Sequence, residues 1–225
     1  MKAFIIFRDR VTYAKRCATA LTQAGLDVHV VDNGSTYPPA MAWLDVLEAR
    51  GVPVMRKGGG HPQELWGWDP FRRCVGDERY LVTDPDVVPD AACPADWPQR
   101  LEKILDEPDG GYGKAGLGLR IDDIPESYHH HDHVVEWEGQ FWTNPIRDGS
   151  MYGAQLDTTL AMYQPLPELP HFTIDGIRTA HPYVAQHLAW YEDLDNLSPE
   201  LQYYHEHAEP GISFWTLEAL SAWNQ

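Results

Sequence analysis

Basic residues are scarce in this chain: 17 Lys and Arg stand against 34 Asp and Glu, a formal net charge of −17. That balance excludes broad, nonspecific attraction to nucleic acid or to an anionic membrane surface, and leaves room only for a local basic cleft. Cysteine is scarce too. Cys17, Cys74 and Cys93 are odd in number and widely separated, so they neither form a disulfide framework nor match a zinc-ligand spacing. No apolar run is long enough to cross a bilayer. The opening MKAFIIFRDR sets its charges too close to its apolar residues for a signal peptide, so a cytoplasmic location is expected. Internal repeats and low-complexity linkers are absent as well. A chain of 225 residues with 43% hydrophobic and 12% aromatic residues is too apolar to be disordered, and its length suits one substantial core rather than two.

The apolar pattern alternates between short β-rich runs and helical spacing. Residues 3–7 read as a strand. Val11, Ala14, Ala18, Leu21 and Ala24 then recur at helical spacing, and Gly25 stops the helix. Residues 27–31 form a second strand ending in Asp32-Asn33-Gly34-Ser35-Thr36, a second helix opens at Pro39, and residues 52–55 form a third strand before Lys57-Gly58-Gly59-Gly60. Residues 80–83 form a fourth strand. Such alternation predicts parallel βαβ units, with ligands at the carboxyl ends of the strands. Arg8, Asp32, Lys57, Asp84 and Asp86 would then gather along one edge.

The fourth strand ends in Asp84-Pro85-Asp86. Proline fixes its own φ and biases Asp84 away from the helical region, so two carboxylates are expected on a stiff, exposed turn. Hard divalent cations take such oxygen ligands and keep positions open for substrate phosphates. The plain alternative is a solvated Asp-Pro-Asp turn.

The second half is less regular. A helix over 98–106 capped by Asp96 and a strand over 114–121 are expected. Residues 122–148 carry aromatics and charges without a period, which marks a functional loop. Strand character returns over 154–163, placing Asp157 in or at the start of a strand. Residues 182–191 read as a helix with Val184, His187, Leu188 and Tyr191 on one face, and Ser198-Pro199-Glu200 opens a last helix.

Taken in order, Asp32-Asn33-Gly34-Ser35-Thr36 after a second strand and Asp84-Pro85-Asp86 after a fourth resemble the nucleotide-binding unit of GT-A glycosyltransferases. Leu156-Asp157-Thr158-Thr159-Leu160-Ala161-Met162-Tyr163 and His187-Leu188-Ala189-Trp190-Tyr191 are similar to small bacterial and phage members of the family 2 type. The resemblance implies an α/β, GT-A fold: a mostly parallel sheet flanked by helices in a single domain, with residues 1–90 as nucleotide-binding half and 91–225 as acceptor-binding half. It implies transfer of a sugar from a nucleotide-diphosphate donor, a UDP-sugar first, with Mn²⁺ or Mg²⁺ as cofactor. Asp86 would be the direct metal ligand. Asp84 would hold the ribose or a metal-bound water, or join the metal. His187 would be the third ligand, with a core role as its alternative and His181 as fallback. Asp32, Arg8 and Lys57 would face the nucleotide, and an Asx-turn role for Asp32 stays open.

One departure from the family pattern is that no Glu-Asp pair precedes the C-terminal helix. The base is therefore sought in Asp157, whose apolar neighbours Leu156 and Leu160 would raise its pKa toward general-base values. Asp122, Asp123, Glu136 and Glu138 are the other acids available. Arg120, Asp122, Asp123, Trp137 and Trp142 are expected on the acceptor side, and Trp190 is either a stacking or a core residue. The run His129-His130-His131-Asp132-His133 reads as a solvated loop open to adventitious Ni²⁺ or Zn²⁺. The acceptor is a glycan, a lipid-linked sugar, a small molecule or, last because of the acidic balance, a modified base in phage DNA. Two other classes stay in view: a noncatalytic nucleotide-sugar or metal-binding module, and a nucleotidyltransferase. The latter lacks here the Gly-rich, basic loop after the first strand that would cradle a triphosphate.

Overall fold

The computed structural model describes residues 1–107, 111–156, 159–165 and 175–208. Its first half is the predicted βαβ succession: β1 (Lys2–Phe7), α1 (Val11–Gln23), β2 (Asp27–Asp32), α2 (Pro38–Ala49), β3 (Val54–Arg56), α3 (Asp69–Val75) and β4 (Tyr80–Thr83). All three pairings among β1 to β4 are parallel. The run β5 (Val87–Pro89), α4 (Trp97–Leu105), β6 (Lys114–Leu119), α5 (His131–Gly139), β7 (Pro145–Ile146), β8 (Met151–Gln155), β9 (Ala161–Tyr163), β10 (Asp175–His187) and α6 (Pro199–His207) completes the described elements. One sheet contains every strand, in the order β3-β2-β1-β4-β9-β6-β10-β8-β7, with β5 added on β10. The α/β architecture stands, with a parallel first half and a mixed second half, since β9, β8 and β5 pair antiparallel with their neighbours.

Period-two alternation decides which side chains enter which layer. Ala3, Ile5 and Leu81 join the layer of α1, α4 and Trp190, whereas Phe4, Ile6, Tyr80 and Val82 point to the opposite layer with Trp66 and Phe71. Both faces of β1 and β4 are therefore covered, which is why these strands read as continuous apolar runs. No helix among the described residues is long and apolar enough to cross a membrane.

Three expectations are corrected. Residues 182–187 are the end of the thirteen-residue strand β10, not a helix, and a 3-10 turn follows over Leu188–Tyr191. Strand and turn bury Val184, His187 and Leu188 as a helix would have done, so burial periodicity alone does not separate the two. The single strand expected over 154–163 is instead two, β8 and β9, on different neighbours. Segment 122–148 is partly ordered by its own helix α5, whose Val134 is fully buried; its start also takes up His131 to His133 from the predicted loop.

Candidate active site

The strand order turns at β1. The chain moves from β1 outward through β2 to β3, then returns to β4 on the other side of β1. Such a switch point opens a crevice outside the carboxyl ends of the two central strands. Arg8, Asp9 and Arg10 follow β1 there, and Asp84 and Asp86 follow β4.

Asp86 is not on an exposed turn: it is 1% exposed. Its Oδ2 accepts a 2.7 Å hydrogen bond from Arg10 Nη1, and His187 Nε2 lies 3.6 Å from the same oxygen. Backbone pairing delivers the histidine. β5 pairs antiparallel with β10 so that His187 faces Val87, and Leu188 N donates to Asp86 O at 2.7 Å. Burial alone would raise the Asp86 pKa, but Arg10 and then His187 outweigh it and hold the carboxyl below its ordinary range. Burial would likewise lower the Arg10 pKa, and Asp86 together with Tyr204, Glu192 and Asp84 more than reverses that. Beneath the pair, burial first and then the two aspartates push the Cys17 thiol up, which leaves it unreactive.

The loops after β1 and β2 are tied together by Asp9, a residue the sequence did not single out. Asp9 is 1% exposed with a left-handed φ of 59°, and its Oδ1 accepts from Thr36 N at 2.7 Å and Tyr37 N at 2.8 Å, at the start of α2. An aspartate between two arginines gives no local sign of such a cap. Asp32 is engaged in its own turn, its Oδ1 accepting from Ser35 N at 2.9 Å, with Oδ2 3.8 Å from Arg56. Gly34 is required by close approach: a Cβ there would meet Gly59 Cα at 2.9 Å. Lys57 bonds Asn33, Gly59 O and Glu64, and so closes its own loop. Arg8 reaches His207 O at 3.5 Å.

α6 covers these loops. The Tyr204 ring centroid lies 4.4 Å from the Arg10 guanidinium carbon, and Glu200 Oε1 accepts from Thr12 N at 2.9 Å. Tyr13 donates to Glu192 Oε1 at 2.9 Å, and the other Glu192 oxygen lies 3.2 Å from His205 Nε2. Tyr37 and Tyr203 rings meet at 4.8 Å.

A second group forms at the end of β6. Arg120 reaches Asp90 at 3.1 Å, Asp122 at 2.7 Å and Asp123 at 3.1 Å, and Tyr191 donates to Asp123. Arg120, Asp122 and Asp123 thus come together as expected, with Asp90 and Tyr191 added. Trp142 packs on Gly118, where its ring leaves no room for a Cβ, and also meets Tyr152 and His181. Trp137 is 55% exposed. Trp190 is a core residue at 1% exposure. Glu138 is buried in an ion pair with Arg178, so it is structural, while Glu136 is exposed. His129 pairs with Asp195 and His131 with Asp132. Asp157 lies outside the described residues.

Among the described residues no three His, Cys, Asp or Glu converge as a closed metal cage. The Asp86 edge nonetheless suits an ion that takes its remaining oxygens from a substrate. Asp86 Oδ1 is buried without a hydrogen-bond partner among the described residues, His187 supplies an imidazole nitrogen beside Oδ2, and Asp84 stands two residues away. An oxygen and nitrogen donor set with open positions fits Mn²⁺, whereas Mg²⁺ would be held by the carboxylates without the imidazole.

No protein-family model matches the chain, and no curated protein matches it. Among solved structures it is similar to the mannosyltransferase PcManGT from Pyrobaculum calidifontis, in complex with GDP-Man and Mn²⁺, at 18% identity and a TM-score of 0.44 over 72% of this chain. It is similar to S. aureus TarS at 10% identity and 0.48 over 84% of this chain. A third similarity, at 12% identity and 0.39 over the whole chain and 94% of the other, is to a chain described as a glucose-1-phosphate thymidylyltransferase from Bacillus anthracis in complex with a sucrose. The chain spans 44% of the mannosyltransferase and 60% of TarS. All three scores lie below 0.5 and leave function to be read from this chain's own residues.

Proposed function

We propose that the protein is a glycosyltransferase that moves a sugar from a nucleotide-diphosphate donor, a UDP-sugar first, to an acceptor hydroxyl. The observation that carries this reading is the Asp84-Pro85-Asp86 turn at the β1/β4 switch point, with His187 brought to the inner aspartate by strand pairing. A donor of this kind leaves as a nucleoside diphosphate, and its developing charge must be neutralised. Asp86 and His187, with Asp84 directly or through water, would hold Mn²⁺, or the carboxylates without the imidazole Mg²⁺, and the ion supplies Lewis-acid stabilisation of that leaving group.

The chain's own residues account for the remaining tasks. Asp9 and Asp32 fix the loops after β1 and β2, so the nucleotide side is preorganised by backbone rather than by long side chains. Arg8 and Lys57 flank that side as positive charges. The Arg120, Asp122 and Asp123 group with Trp137 and Trp142 forms the acceptor side, and Asp157 takes the acceptor proton.

A thermal-shift panel of UDP-, GDP-, CDP- and dTDP-sugars with and without Mn²⁺ tests the reading. A ligand at about 100 times its dissociation constant stabilises by roughly 2.7 kcal/mol. Stabilisation by at least one sugar nucleotide, strengthened by Mn²⁺ and followed by sugar transfer or donor hydrolysis, is expected. Binding without turnover would make the protein a noncatalytic module, and pyrophosphate release from a nucleoside triphosphate with a sugar phosphate would make it a nucleotidyltransferase.

A further inference from the structure

The Arg10–Asp86 pair is incomplete in a way that ordinary buried ion pairs are not. Arg10 is 9% and Asp86 1% exposed, and one hydrogen bond of 2.7 Å joins them. Arg10 Nε and Asp86 Oδ1 are both buried and have no hydrogen-bond partner among the described residues. Buried charged groups are usually bonded to capacity, so a charged donor and a charged acceptor left short side by side call for a ligand. That ligand must present a negative oxygen to the guanidinium and a positive centre to the carboxylate. A diphosphate carrying a divalent cation has this polarity, and the pair stands at the switch point, where ligands of such sheets bind. Tyr204 stacks on the guanidinium and keeps it beside the strand ends.

We propose that Arg10 receives the diphosphate of the donor, and that its guanidinium and a divalent cation compete for the Asp86 carboxylate, so that a cation on Asp86 releases Arg10 to the phosphates. The inference rests on the glycosyltransferase reading and adds to it a residue and an order of events. Without ligand, Arg10 neutralises Asp86. With cation and diphosphate present, the Asp86 carboxylate would hold the cation, whose charge would weaken the hold of Oδ2 on Arg10, and the planar fork of Arg10 would turn to phosphate oxygens, for which it is well matched.

The test uses the full chain, its Arg10→Met and Arg10→Lys variants, and UDP, GDP, CDP, dTDP, uridine, guanosine and Mn²⁺ as probes. Calorimetry with Mn²⁺ present is expected to show diphosphate affinity at least about tenfold weaker in Arg10→Met, with nucleoside affinity unchanged. Arg10→Lys keeps the charge without the fork and should fall between; it carries the test alone if Arg10→Met does not fold. Titration of Mn²⁺ alone, followed by loss of the free-ion electron paramagnetic resonance signal, should show tighter binding in Arg10→Met, because a competing cation has gone. Unchanged diphosphate affinity, a parallel loss of nucleoside affinity, or weaker Mn²⁺ binding overturns the proposal. Wild-type protein that binds none of UDP, GDP, CDP and dTDP would instead overturn the glycosyltransferase reading itself.

Discussion

The imidazole of His187 lies almost flat on the indole of Trp190, with centroids 4.6 Å apart and planes 14° from parallel. The strand β10 ends at this histidine, and the turn that follows places the tryptophan against it, so the imidazole beside Asp86 is held by a core residue. Trp190→Ala should cost about 3–5 kcal/mol, as for other buried aromatics cut to alanine. Trp190→Phe keeps a stacking ring and should cost roughly 1–3 kcal/mol. Urea denaturation checks both. A small loss in the alanine variant would show that the turn, and not the stack, positions His187.

Asp86→Ala is expected to destabilise the protein by about 3–5 kcal/mol, because it leaves the Arg10 charge buried and unpaired. The double variant with Arg10→Met removes the stranded charge and should recover a large part of that loss, which a double-mutant cycle measures. Wild-type stability in Asp86→Ala alone would contradict the buried pair.

Sequence pattern reached the sheet from β1 to β4 because β1 and β4 are buried on both faces and all four strands are bounded by turn formers, two signals that are local. It reached Asp84 and Asp86 for the same reason. It did not reach the burial of Asp86, since the partner that compensates it, Arg10, is 76 residues away. Nor did it find Asp9, whose cap on α2 depends on a left-handed backbone that no neighbouring glycine announces. Residues 182–187 went to the wrong element because a strand and a turn in succession can bury the same positions as a helix. Glu138 read as a free acid until its pairing with Arg178, across 40 residues, became visible.

Hydrogen exchange should divide the segment from Asp122 to Arg147 rather than treat it as one loop. Val134 is fully buried and Glu138 is ion-paired, so amides in the second half of α5 should be protected. Thr143 and Asn144 are exposed, and Arg147 and Asp148 have left-handed φ values of 50° and 57°, so amides around this turn should exchange early. Binding of a true acceptor should slow the second group more than the first. Uniform protection from 122 to 148 in the unliganded protein would remove the case for an adaptable acceptor side.

Asp157 is the assignment with most at stake. The described residues that follow it run beside the site: Leu160 N donates to Thr83 Oγ1 at 3.3 Å, and Thr83 immediately precedes Asp84. A general base must come within hydrogen-bond reach of the acceptor hydroxyl, on the side opposite the leaving nucleotide. Asp157→Asn preserves shape and hydrogen bonding while removing the base. It should lower kcat by about a hundredfold or more, general-base contributions being roughly 10² to 10⁴, and leave donor affinity nearly unchanged. Steady-state turnover and donor calorimetry on the same preparation separate the two effects. Near-normal turnover, or a product of retained anomeric configuration that needs no such base, would withdraw the role. Loss of folding in the asparagine variant would assign Asp157 a structural role. Asp123 would then be the next acid to test, since Tyr191, Gln186 and Arg120 hold it at the end of β6.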